Sequence, residues 1–228
     1  LGLLQTFVAE TNRYATAYMQ SHPNLSPGAR VHKWRPVSLS EMRAFLAVIL
    51  NMGLNKKPTI NSYWSTMKSQ ASPWFRDMFS RNRFEAILQF FHIVDNRTLS
   101  KPDQPGYDPA GKFQPLLEHV NRLFKTHYTP HREISIDESL VGTKSHSQLI
   151  QYLPNKHHHK WGIKLWMLCD SVSKYCLAFT CYKGKRDADG NNENGLAYKV
   201  VKTLLQIGQY MEKGYHLFVD NFFNTIPL

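Results

Sequence analysis

Two aspartates stand at points where apolar, strand-like sequence turns acidic. Asp137 lies within Ile134-Ser135-Ile136-Asp137-Glu138-Ser139-Leu140, and Asp220 closes Tyr215-His216-Leu217-Phe218-Val219-Asp220. Both follow apolar strand residues, so neither sits on an obviously solvated face. In open α/β sheets, sites form at the carboxyl ends of strands. Aspartates 83 residues apart in the chain meet there if their strands are neighbours. Carboxylates that close repel each other and normally hold a hard cation between them. Two Mg2+ ions bridged by aspartates activate water and stabilise the leaving oxygen in phosphodiester cleavage. Taken alone, two such residues are more often a cap, a turn and half of a salt bridge than a metal site.

The elements around them decide between these readings. Past Pro130, apolar alternation predicts a strand over 134–140. A second apolar run covers Gly162–Cys169, a turn covers 170–174, and a third run covers Tyr175–Tyr182. Lys183–Asn194 is polar and Gly-bearing and reads as a loop. Tyr198, Val201, Leu204, Leu205 and Gly208 mark a helix, and 215–220 is the last strand. The order is β-β-β-α-β, and a strand joined through a helix to a later strand is usually a parallel crossover. Strand alternation points Glu138 to the face opposite Asp137. Asp170 falls in the hairpin turn, and Asp187, Asp189 and Glu193 fall in the loop, where solvated charge is the expected role.

The first 130 residues read as helical. Leu3, Leu4, Phe7, Val8, Ala15 and Tyr18 share one helical stripe. Ser38-Leu39-Ser40-Glu41 is a capping box, followed by Met42, Phe45, Leu46, Ile49 and Leu50 up to Gly53. Further helices are predicted near 81–94 and 115–128, separated by a polar, Pro- and Gly-rich loop over 95–111. The fold class is therefore α+β: a helical region over 1–130 and a mixed core over 131–228.

Lys and Arg number 28 against 17 Asp and Glu, a net charge of +11 over 228 residues. Such an excess favours a polyanionic partner. Ser139–Cys169 holds no acid, but it carries Lys144, Lys156, Lys160 and Lys164 with His146, His157, His158, His159, Tyr152, Trp161 and Trp166. Basic groups interleaved with aromatics can pair with phosphates and stack on bases, although a solvated basic hairpin would look the same. Lys183, Lys185 and Arg186 form a second basic cluster beside Gly184. Three consecutive histidines lack zinc-ligand spacing. Cys169, Cys176 and Cys181 read as small core residues, and so few cysteines fit a reducing compartment and no disulfide scaffold. No apolar run approaches the roughly 20 residues of a membrane span, and Thr6 and Glu10 interrupt any signal-peptide pattern. With Leu1 in place of Met and no tail after Leu228, the chain reads as part of a longer protein.

A β-β-β-α-β unit with Asp in its first and last strands is the layout of RNase H-like nucleases and transposases. The sequence resembles the piggyBac transposase family in particular. Ile136-Asp137-Glu138-Ser139-Leu140 and Val219-Asp220-Asn221-Phe222-Phe223-Asn224-Thr225-Ile226-Pro227-Leu228 look like the family's first and second catalytic motifs. Gln151-Tyr152-Leu153-Pro154-Asn155-Lys156, Lys160-Trp161-Gly162-Ile163-Lys164, Cys169-Asp170-Ser171 and Tyr182-Lys183-Gly184-Lys185 match the segments between them. Glu10-Thr11-Asn12-Arg13-Tyr14-Ala15, Met52-Gly53, Tyr63-Trp64, Ser80-Arg81-Asn82-Arg83-Phe84 and Asp95-Asn96 resemble its helical part.

The resemblance implies a helical dimerisation and DNA-binding region (1–130) and an RNase H-like catalytic core (131–228). In this family three aspartates hold two Mg2+ (or Mn2+) ions, which cut transposon ends and drive strand transfer into TTAA targets. Asp137 and Asp220 match the first two aspartates and would be catalytic and metal-binding. The third lies beyond this chain, which puts cleavage by these 228 residues alone in doubt. Lys144, Lys156, Lys160, Lys164, Lys185 and Arg186 are expected to hold phosphates of double-stranded DNA. A homodimer, a nuclear location and no membrane partner complete the expectation. The rival reading is a domesticated, transposase-derived DNA-binding protein that no longer cuts.

Overall fold

A computed structural model describes residues 2–143, 145–154, 160–184 and 195–224. The chain divides into two compact units, Leu1–Thr98 and Leu99–Leu228.

The first unit is helical: α1 (Gly2–Ser21), α2 (Leu39–Leu54), α3 (Pro73–Met78) and α4 (Arg81–Phe90), with 3-10 turns at Arg30–Lys33 and Ile60–Trp64. The predicted capping box opens α2. Ser38 Oγ accepts from the Glu41 amide at 3.1 Å, and the Ser38 amide donates to Glu41 at 3.3 Å. The same carboxylate receives a fork from Arg83, whose Nε and an Nη each lie 3.0 Å from a Glu41 oxygen. Burial pushes the Glu41 carboxyl up, but the bonds from Arg83 and the Ser38 amide outweigh it and hold the group below its ordinary value. The Glu10–Ala15 segment proves to be a contact face. Arg13 bridges Glu10 and Asp95, Thr11 exchanges hydrogen bonds with the His92 backbone, and the Asn12 amide pairs both backbone groups of Val37. Tyr14 stacks on His92 with ring centroids 3.6 Å apart, and Ala15 is fully buried. The helix predicted to reach residue 94 ends at Phe90.

The second unit holds α5 (Gln114–His127), β1 (Glu133–Gly142), β2 (Ile150–Tyr152), β3 (Trp161–Asp170), β4 (Cys176–Cys181), α6 (Gly195–Gly208) and β5 (His216–Val219). The strand β2, three residues long, is too short to show alternation and has no periodic signal. The sheet runs β4-β3-β1-β5, with β2 pairing the start of β3 at Trp161–Ile163 and β4 pairing it over Leu165–Cys169. β1 is antiparallel to β3 and parallel to β5. This is the expected RNase H-like order, with the α6 crossover carrying the chain over two strands.

One face of this sheet is covered by α6. Ile134, Ile136, Trp166 and Leu168 meet Ala197, Val200, Val201 and Leu204 in one buried cluster. The helix α5 closes the β4 edge in a different way. The buried Asn121 amide donates to the Phe179 carbonyl and accepts from the Phe179 amide, both at 2.9 Å, standing in for a neighbouring strand. Gly162 is required by spacing, since a Cβ there would lie 2.3 Å from the Val141 carbonyl oxygen. None of the described helices is long and apolar enough to cross a membrane.

The turn from β3 to β4 is built on Asp170, which is fully buried. Its carboxylate accepts from the amides of Val172 and Ser173 at 2.8 Å and of His131 at 2.7 Å. It also meets the His131 ring and the Tyr128 hydroxyl. Burial opposes its charge, but these donors outweigh burial and hold the carboxyl far below the usual range. Its contribution to stability is therefore present above the ordinary value of 3.8 and lost only as pH falls toward the much lower folded value. Asp170→Asn should destabilise the second unit by about 2–4 kcal/mol at pH 7, and the deficit should shrink as pH falls below about 3.8. Denaturant melts at several pH values check this, and a deficit that grew with acid would contradict it.

Candidate metal centre

The pairing of β1 with β5 places the two aspartates. The register runs Glu133 with His216, Ile134 with Leu217, Ser135 with Phe218 and Ile136 with Val219. Asp137 and Asp220 are the next residues on each strand, so they stand side by side where the pairing stops. Both are exposed. Each carboxylate is fixed locally by a backbone donor: the Glu138 amide to Asp137 at 2.7 Å, and the Phe222 amide to Asp220 at 3.0 Å. The Phe223 amide donates to the Asp220 carbonyl at 3.1 Å, turning the chain away from the sheet.

Glu138 keeps the face that alternation predicts, opposite Trp166 and beside Lys164, but its carboxylate still reaches the aspartates. Alternation assigns its side chain to the face of Ile134 and Ile136, away from Asp137. Yet carboxylate oxygens of Asp137, Glu138 and Asp220 all lie within 4.8 Å of one another. The physical reason is the end of β5 at Val219, which leaves the β5 side of β1 open from Asp137 onward. A long Glu side chain can then reach past the strand end to the aspartates.

Three carboxyl groups this close, reachable from solvent and supplied with only oxygen donors, suit a hard divalent cation such as Mg2+ or Mn2+. A bound cation would offset their mutual repulsion and could activate a water or polarise a phosphoryl oxygen. Among the described residues, Lys164 on β3 brings a basic group beside the cluster, 3.7 Å from Glu138. Its ammonium also lies 3.9 Å from the ring centre of Trp166.

The other basic residues singled out by the sequence divide in two. Lys160 is exposed just before β3. Lys144, Lys156, Lys185, Arg186 and the His157–His159 run lie outside the described residues. Lys183 pairs with Asp108 at 2.7 Å. Of the aromatics, Tyr63 and Phe75 are core residues, while Trp74 is partly exposed. Cys181 is buried, and Cys169 and Cys176 face each other across β3 and β4.

This fold and its acidic strand ends define an RNase H-like core of the transposase type. Residues 2–228 match the family model described as Transposase IS4, and the chain belongs to that family. Human PiggyBac transposable element-derived protein 2 is 26% identical over 235 residues, covering 100% of this chain and 35% of the relative. Human PiggyBac transposable element-derived protein 3 is 25% identical over 197 residues, or 83% of this chain and 31% of the relative. The chain thus spans about a third of the length of these curated relatives. Among solved structures, the cryo-EM structure of a piggyBac transposase synaptic complex with hairpin DNA superposes with a TM-score of 0.75 at 19% identity, covering 100% of this chain and 50% of that one. The resemblance to piggyBac transposases is thereby borne out at the level of family and fold.

The repulsion among the carboxylates gives a direct test. Asp220→Asn keeps the oxygen that accepts from Phe222 but removes a charge. The variant should melt about 2 °C higher than the parent without divalent ions. Mg2+ in the millimolar range should then raise the melting temperature of the parent and leave Asp220→Asn and Asp137→Asn nearly unmoved. Equal Mg2+ responses in all three would contradict a cation site here.

Proposed function

We propose that the chain is the helical and central catalytic part of a DNA transposase that cleaves transposon ends and joins them to TTAA targets. The observation that carries this reading is the meeting of Asp137 and Asp220 where the parallel pairing of β1 and β5 ends, with the Glu138 carboxylate beside them. In this reading Asp137 and Asp220 hold Mg2+ or Mn2+, which supplies Lewis-acid activation of water and of the 3′-hydroxyl. The chain's own groups hold the two aspartates in place through the Glu138 and Phe222 amides and leave the cluster open to solvent, as a duplex substrate requires.

In this reading Lys144, Lys156, Lys160, Lys185 and Arg186 hold phosphates of double-stranded DNA. The net charge of +11 supports a polyanionic partner. The solved neighbour is a synaptic complex with hairpin DNA, which supports the same partner class here. Exposed Leu50 and Leu54 on α2 fit a homodimer, in which a second copy would cover them. Action on chromosomal DNA would place the protein in the nucleus.

A second reading is carried by the relatives, which are named as transposable element-derived proteins. On that reading the chain binds DNA without cutting it. One experiment separates the two: the native protein incubated with duplexes bearing transposon ends, a TTAA target and Mg2+. Transposase action predicts cut and joined strands, lost by at least a hundredfold in Asp137→Asn with DNA binding retained. Binding with no cutting in either protein would favour the second reading. Cutting unaffected by Asp137→Asn would contradict the metal assignment. Lys160→Ala should lower the salt slope of DNA binding by roughly 1, and an unchanged slope would remove Lys160 from the phosphate contacts.

A further inference from the structure

Asp137 sits on β1 and Asp220 follows β5, and their strands pair over only four residues. Four residue pairs leave the Asp220 segment weakly held by the sheet itself. What fastens it is aromatic. Phe223 is fully buried and meets Trp166 edge-on at 5.3 Å, and Phe222 stacks on Trp166 at 5.6 Å with the planes 10° apart. Trp166 is itself buried on β3, directly opposite Glu138 on β1. The turn that carries Asp220 is therefore clamped to β3, one strand beyond β1.

Lys164 lies at the meeting point of these parts. It is two residues from Trp166 on the same face of β3, and its side chain is 15% exposed. Its ammonium is 3.9 Å from the ring centre of Trp166, 5.8 Å from that of Phe222 and 5.9 Å from that of Tyr182. All three lie within the range at which a cation is attracted to a ring face. The same ammonium is 3.7 Å from Glu138, whose amide holds the Asp137 carboxylate. One cation thus touches the Asp220 segment through Phe222 and the Asp137 strand through Glu138.

We propose that Lys164 is a positioning residue that sets the separation of Asp137 and Asp220 by joining Glu138 to the Trp166–Phe222 stack. The inference rests on the reading of the acidic cluster as a divalent-cation site. Its role differs from a phosphate contact, because the ammonium works inside the protein, against groups that carry the cluster.

Charge makes the proposal sharply testable. A nearby positive charge repels a metal cation, so removing it should by Coulomb's law alone tighten cation binding. A positioning role predicts the reverse. Mn2+ titration of the whole chain by calorimetry reads the difference, with the parent, Lys164→Met, Lys164→Arg, Phe222→Leu and Asp220→Asn. Lys164→Met should bind Mn2+ about tenfold more weakly, the size of effect seen when partners behind metal ligands are lost. Phe222→Leu, which changes no charge, should weaken binding in the same direction. Lys164→Arg, which keeps both the charge and the ring contact, should stay within about twofold of the parent. The double variant Lys164→Met with Phe222→Leu should be little worse than either single change, because both act through one stack.

Unchanged or tighter binding in Lys164→Met, with its melting transition intact, would overturn the proposal. If Lys164→Met fails to fold, unchanged affinity in Phe222→Leu would overturn it equally. A parent chain that binds no Mn2+, or binds it as well after Asp220→Asn, would instead sink the cation-site reading beneath it.

Discussion

The parallel pairing of β1 with β5 is the constraint on which the site depends, because it alone brings residues 83 positions apart into contact. That pairing is not local. It requires β3 to lie antiparallel to β1, β4 to lie antiparallel to β3, and α6 to cross back over both strands before β5 begins. The apolar seam between α6 and the sheet, formed by Ile134, Ile136, Leu168, Val201 and Leu204, holds this path. Asn121 and Asp170 finish the edges: one side chain replaces a missing strand beside β4, and the other collects the orphan amides of the β3–β4 turn. The fold spends its buried polar groups on closing the sheet, and the exposed carboxylates gather where the sheet is left open.

Strand length then decides what kind of site results. β5 stops at Val219 while β1 continues to Gly142. The early stop leaves a notch in which three carboxylates converge and solvent enters. The backbone amides of Glu138 and Phe222 orient two of them. Such a preset cluster suits a cation that must arrive with water or a substrate oxygen still attached.

Much of this was legible in the residues. The periodicity of 134–140, 162–169 and 175–182 located the strands to within about two residues, and Ser38 with Glu41 located a helix start to the residue. The two aspartates stood out because apolar runs led directly into them. Alternation assigns Glu138 the Trp166 face, where it stands, but not the reach of its carboxylate, because the sequence does not say where β5 ends. Lys164 looked like any other lysine in a basic stretch. Folding alone brings its ammonium over Trp166 and beside Glu138. The glycine of the Trp161-Gly162-Ile163 segment also acquires a cause, since Val141 leaves no room for a Cβ. Likewise, the Glu10–Ala15 segment is explained by packing and hydrogen bonds within the helical unit and needs no role in chemistry.

The central claim is that Asp137 and Asp220 jointly hold a divalent cation. Its most direct test is an anomalous-difference map from crystals of the chain grown with Mn2+. The account predicts a Mn2+ peak within about 2.5 Å of a carboxylate oxygen from each aspartate. A map with no peak at this notch, or with Mn2+ bound only elsewhere on the surface, would contradict it.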